Sequence, residues 1–269
     1  MAACLLGVDF SSAPSARKPV VLAWGQRQGR RVSLQGLQAC AQHSDLLKAL
    51  QAEPAWVGGF DLPFGLPRAL VEHLGWPTDW AACMDHYCSL SRAEIRATFA
   101  AYTASRPVGS KFAHRACDSP AGSSPSMKWV NPPVAFMMHA GVPLLRALPA
   151  NLPGLRERAL PRVALEAYPG LLARELIGNR SYKSDDRAKQ TPQRLIARKD
   201  LIEALEQGRS RLGLRVALTH AQRDALVDDA RGDALDAVLC LMQAAWASLR
   251  PRWGLPDDVD PLEGWIVSA

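Results

Sequence analysis

With 269 residues the chain has the length of one large domain or two small ones, and 48% hydrophobic residues are enough for a sizeable core, which excludes a disordered chain. No apolar run approaches the ~20 residues of a membrane-spanning helix, and Asp9 arrives too early for a secretory signal, so cytoplasmic residence without membrane attachment is expected. The net charge is +6, and eleven Lys/Arg against six Asp/Glu between Arg174 and Arg215 put an excess of five into one stretch.

Ala2 to Val8 is a continuous apolar run that ends in Asp9, Phe10, Ser11, Ser12, Ala13 and Pro14. Such a run predicts a central strand buried on both faces, followed by a turn. Val20–Trp24 is a second apolar run, and Val32 to Leu37 alternates as a half-exposed strand does. The connections are too short for helical crossovers, so these three strands form antiparallel hairpins. Leucines 46, 47 and 50 mark a helix from His43 to Ala52, and Trp56 to Asp61 returns to strand before Pro63 and Pro67. This order describes an antiparallel meander and then a parallel crossover beside the first strand.

A helical stretch follows over about 69–105. Residues 106–133 are rich in Pro, Gly and Ser, carry Arg106, Lys111, His114, Arg115, Lys128 and Trp129, and read as a long inserted loop in a single domain spanning 1–269. Val163 to Tyr168 is a further strand closed by Pro169 and Gly170, with helices expected over 169–177 and 191–208. Thr219 and Gln222 have capping-box spacing and open the last helix, whose buried stripe runs through Leu235, Val238, Leu239, Met242, Ala245, Trp246 and Leu249. Arg187, Arg194 and Arg198 fall at i, i+7 and i+11, one stripe of a helix, either as a solvated face or as a surface that meets phosphates.

Six scattered cysteines suit reduced, inert thiols. Cys83, His86 and Cys88 offer metal ligands, but no second Cys/His pair follows at zinc-site spacing. The acids are more informative. Asp9 and Asp61 end strands expected to be neighbours, Glu166 lies near the end of a later strand, and Asp233 and Asp236 are three apart on the last helix. Any one of them could be a turn, a cap or a paired edge charge. Together, acids among apolar strand residues need a partner or a cation, and hard oxygen ligands select Mg²⁺ or Mn²⁺.

The run from Gly7 to Ala13, together with Gly59-Phe60-Asp61-Leu62-Pro63-Phe64-Gly65-Leu66-Pro67, resembles the family called domain of unknown function 429, whose members are predicted nucleases of ribonuclease H-like fold. Glu166-Ala167-Tyr168-Pro169 resembles its Glu-x-x-Pro motif. Tyr182-Lys183 and Asp233-Ala234-Leu235-Asp236-Ala237 are similar to its downstream elements. The resemblance implies an α/β fold with a mixed five-stranded sheet, order 3-2-1-4-5, strand 2 antiparallel and helices on both faces. It also implies catalytic metal ligands at Asp9, Asp61, Glu166 and Asp233 or Asp236. Ser12 stands where many relatives carry Gly, which narrows access beside Asp9 or adds a phosphate contact.

The resulting expectation is a nuclease in which two Mg²⁺ or Mn²⁺ ions, shared by Asp9, hydrolyse phosphodiester bonds of DNA or RNA. Ser11, Ser12, Lys183, Arg187, Arg194 and Arg198 are the candidate phosphate contacts, and Trp129 or Tyr168 could stack on a base. Two other readings share the scaffold. One is an ATPase or sugar kinase of the same fold superfamily, although no second Asp-x-Gly-Gly-like phosphate turn is visible. The other is a non-catalytic nucleic-acid or protein-binding module. Gly-x-Ser-x-Gly and His-Glu-x-x-His are both missing, which removes serine-hydrolase and zinc-hydrolase readings.

Overall fold

Cys4–Asp9 forms strand β1, the hub of the sheet in a computed structural model that describes residues 4–269. Ala2 and Ala3 of the first apolar run lie outside the described residues. Strand β2 (Val20–Gln28) pairs antiparallel with β1, and β3 (Arg31–Cys40) pairs antiparallel with β2. Helix α1 (His43–Ala52) then carries the chain over one face, and β4 (Trp56–Phe60) returns parallel to β1 on its other side. The meander and crossover are those expected from connection lengths.

The helical stretch after β4 resolves into α2 (Arg68–His73), α3 (Trp80–Ser89) and α4 (Arg92–Ala104). Within the long loop only α5 (Asp118–Ala121) is regular, and α6 (Val134–Ala147) follows it immediately. Strand β5 (Arg162–Glu166) pairs parallel with β4. Helices α7 (Pro169–Ile177) and α8 (Pro192–Gln207) precede β6 (Arg215–Ala217), which adds parallel to the outer edge of β3. The sheet therefore has six strands in the order β5-β4-β1-β2-β3-β6, not the five expected. Its order differs from 3-2-1-4-5 by β6, three residues too short to register as a sequence pattern.

The last helix is also divided. The Thr219–Gln222 capping box opens α9 (His220–Asp228), as the spacing predicts. The chain then breaks at Gly232, which adopts a left-handed φ of 76°, before α10 (Asp233–Ala247). Apolar almost all round, α10 is buried against β1, β2 and β4. None of these helices is long and apolar enough to cross a membrane.

Alternation along the strands assigns the two faces of the sheet. Leu6, Val8 and Phe60 join the core under α1–α4 and α6, whereas Leu5 and Val57 join the core under α7–α10. Gly7 and Gly59 stand opposite each other in the β1–β4 register and share the α10 face with Leu5 and Val57. A Cβ on Gly7 would fall 2.0 Å from the Ala237 carbonyl oxygen, and one on Gly59 would fall 2.5 Å from the Cys240 carbonyl oxygen. The two glycines thus let the α10 backbone lie directly on the sheet. Gly7→Ala is expected to lower stability by about 2–3 kcal/mol, because backbone on both sides must move to admit one methyl group. Urea unfolding of the variant measures it, and an unchanged midpoint would contradict this packing.

Candidate metal centre

Asp9 and Asp61 lie two residues beyond Gly7 and Gly59, so period-two alternation turns their side chains to the same face as the glycines. The Asp61 amide donates to the Val8 carbonyl, which carries the β1–β4 ladder to the strand ends. Asp236 sits in the first turn of α10, one residue before the Ala237 carbonyl that rests on Gly7. Close contact of helix and sheet thereby brings three carboxylates together. One oxygen from each of Asp9, Asp61 and Asp236 lies within 4.8 Å of the other two.

The energetics of this cluster are unfavourable on their own. Burial, then the charge of Asp236, pushes Asp61 from the ordinary 3.8 up to about 7, against the lowering effect of Lys183. Asp9 is pushed well up by burial, then by Asp236 and Asp61. Among the described residues, Lys183 is the only cation bonded to the cluster. Its ammonium and the Tyr182 hydroxyl donate to the two oxygens of the buried Asp236 carboxylate. Burial alone would lower Lys183, but the charges of Asp236 and Asp9 more than reverse it and hold it protonated. Gly232 makes this contact possible, since a Cβ there would meet Lys183 Cβ at 2.8 Å.

The donors suit a hard divalent cation. The two Asp236 oxygens each keep a free lone pair beside their hydrogen bond. Oxygens around one Mg²⁺ at 2.0–2.1 Å sit up to about 4.2 Å apart, so a small contraction closes the set. Lys183→Met is expected to bind Mn²⁺ several-fold more tightly, because the ammonium competes with the ion for Asp236. Calorimetric titration reads this, and weaker binding would mean that Lys183 organises the site instead.

Glu166 is not brought into the cluster. In register with Phe60, it shares the opposite face of the sheet with Ala164. There its two oxygens accept from Arg115 at 2.6 and 2.7 Å, and the Phe64 amide donates to it at 2.9 Å. Arg115 also bonds Asp118, and all three side chains are almost completely buried. The long loop is therefore anchored by a buried ion network, a role that sequence reading missed. Asp233 also stands aside. Its Oδ2 is buried without a hydrogen bond, 3.5 Å from Arg231, and burial raises its pKa.

The expected arginine stripe does not exist. Arg187 lies in a separate 3₁₀ turn, where it lines an open groove with Arg17 and Arg231. Arg194 lies in the first turn of α8, while Arg198 is buried and donates to the Tyr182 and Val227 carbonyls, which makes it structural. Pro192 starts a new helix after Arg187 and destroys the assumed common axis. Ser11 is buried, with its carbonyl against the His43 ring, and Ser12 is half-buried beyond the strand end. Trp129 packs on Phe112, whereas Tyr168 stays beside Asp61. Cys83 is fully buried, and among the described residues the three aspartates are the only group with metal-holding geometry.

Fold and site together define an α/β protein with a mixed sheet and a three-carboxylate cluster that could hold a metal ion. Residues 7–259 match the family described as "Protein of unknown function (DUF429)", and the chain belongs to that family. No curated protein and no solved structure matches it.

Proposed function

We propose that the protein is a divalent-metal-dependent nuclease built on a ribonuclease H-like scaffold. The observation that carries this reading is the convergence of Asp9, Asp61 and Asp236, with Lys183, at the carboxyl ends of two adjacent parallel strands. Once ionised, the three carboxylates and the ammonium sum to −3 + 1 = −2, the charge that one divalent ion balances. The free protein would therefore hold one Mg²⁺ or Mn²⁺ rather than two, and a second would need the charge of a substrate phosphate.

A cation bound there supplies Lewis acidity toward a phosphoryl oxygen and lowers the pKa of coordinated water. Asp9, Asp61 and Asp236 fix its position on rigid elements. Lys183 remains protonated and can donate to a non-bridging phosphate oxygen, adding positive charge where negative charge accumulates. In hydrolysis the water oxygen bonds to phosphorus as the bond to the leaving oxygen breaks. One water proton ends on the departing alkoxide, and the other leaves with the new phosphomonoester or passes to solvent. No protein nucleophile is required.

Asp9→Asn tests the reading. Purified protein with Mn²⁺ should cleave nucleic acid, and the variant should lose more than about 100-fold, beyond the 10–100-fold typical of groups behind the ligands. Equal cleavage by the variant would remove this site from the chemistry.

A further inference from the structure

Two recesses flank Asp61, and Tyr168 stands between them in the lining of both. One, of about 160 Å³, is walled by Leu62, Pro132, Val134, Met137 and Ile266. Its charged floor is already spent, because Arg115 and Glu166 are bonded to each other. The other, of about 300 Å³, has Asp61 as its only acid in the lining and carries Arg174, Arg180 and Lys183. These bond the Ala121 carbonyl, Asp200 and Asp236 in turn, and each keeps further N–H donors for a phosphate. The Tyr168 ring is held in place between them. Gly170 leaves no Cβ, which would come 2.7 Å from Tyr168 Cζ, and the Arg174 guanidinium lies 5.3 Å from the ring centroid.

This division matches the polarity of one nucleotide. An apolar slot takes a planar base, a cationic recess takes phosphate, and the carboxylate cluster lies at their junction. The smaller recess has room for one heterocycle but not for a base pair. In a duplex the base faces are stacked inside and only base edges and the backbone face outward, so a whole base enters such a slot only when unpaired. Resting on the nuclease reading above, we infer that the substrate is single-stranded nucleic acid, bound with one base in the Met137 recess and the adjoining phosphates along Arg174, Arg180 and Lys183.

The test measures binding of a short mixed-sequence oligonucleotide, as DNA and as RNA, by fluorescence anisotropy in Ca²⁺, alongside cleavage in Mn²⁺. Single strands should bind at least about tenfold more tightly than the same sequence as a duplex, the worth of one stacked base. Met137→Trp, which fills the slot, should erase that preference, and Val134→Phe serves as a second filling variant should the first not fold. Retained Mn²⁺ binding and an unchanged circular-dichroism spectrum certify each variant. Equal binding of duplex and single strand by the wild type, or undiminished binding by a folded variant, would overturn the inference even where cleavage proceeds. Pocket-dependent binding with no cleavage of any oligonucleotide would leave the slot standing and overturn the nuclease reading instead.

Discussion

Asp61→Asn should make the metal-free protein more stable at pH 8 and at the same time abolish its stabilisation by Mn²⁺. Asp61 binds its proton more tightly in the folded state, because burial and Asp236 raise it from 3.8 to about 7. The stability linked to that proton is complete below the unfolded value and is lost as pH rises through about 7. Asp9 shifts in the same direction and adds to the loss. At about 1.4 kcal/mol per pKa unit, ionising the site costs the fold a few kcal/mol, and the neutral amide avoids part of that cost. The wild type without metal should therefore melt several degrees higher at pH 5.5 than at pH 8, a difference the variant should largely lose. Mn²⁺ at about 100 times its Kd should restore about 2.7 kcal/mol to the wild type at pH 8 and nothing to the variant. Scanning calorimetry with and without the ion separates the outcomes. A variant that Mn²⁺ still stabilises would mean that Asp61 is not a ligand.

Arg115→Met should cause a large loss of stability while sparing the carboxylate cluster. The guanidinium neutralises Glu166 and Asp118, both buried, and donates to the Glu263 carbonyl as well. Without it two like charges remain in the protein interior with no cation. Breaking such a network costs about 3–5 kcal/mol, roughly 10–15 °C in Tm for a chain of this size. The 106–133 loop should become protease-sensitive in parallel, since Arg115 is what ties it to β5. Glu166→Gln is the companion variant. It should lower Tm by less, because Asp118 still balances Arg115, and should leave Mn²⁺ affinity within about twofold. A large loss of Mn²⁺ affinity in Glu166→Gln would return Glu166 to the metal site.

Much of the sheet was legible because its connections are short. Three strands linked by turns too brief for a helix can only be a meander, and α1 between β3 and β4 fits a parallel crossover. β6 was not legible, because Arg215–Ala217 gains strand geometry only by lying against β3. The break between α9 and α10 was visible as Gly232, yet an apolar stripe on both sides concealed it. For the site, the repeated Gly-x-Asp at Gly7-Val8-Asp9 and Gly59-Phe60-Asp61 was the strongest local signal. Each glycine admits α10 and places an aspartate two residues later on the same face.

The residues from which a metal site could be assembled were evident in the chain itself: acids at the ends of apolar strands and at the start of the last helix. Asp9 and Asp61 needed only strand periodicity to share a face. Which other acids joined them was a tertiary decision. Asp236 enters because α10 rests on two glycines, and Glu166 is excluded because its register with Phe60 turns it to the opposite face, where Arg115 waits 51 positions away in sequence. A one-residue change in register exchanges the faces of a strand, so sequence position alone could not distinguish a ligand from a structural ion pair.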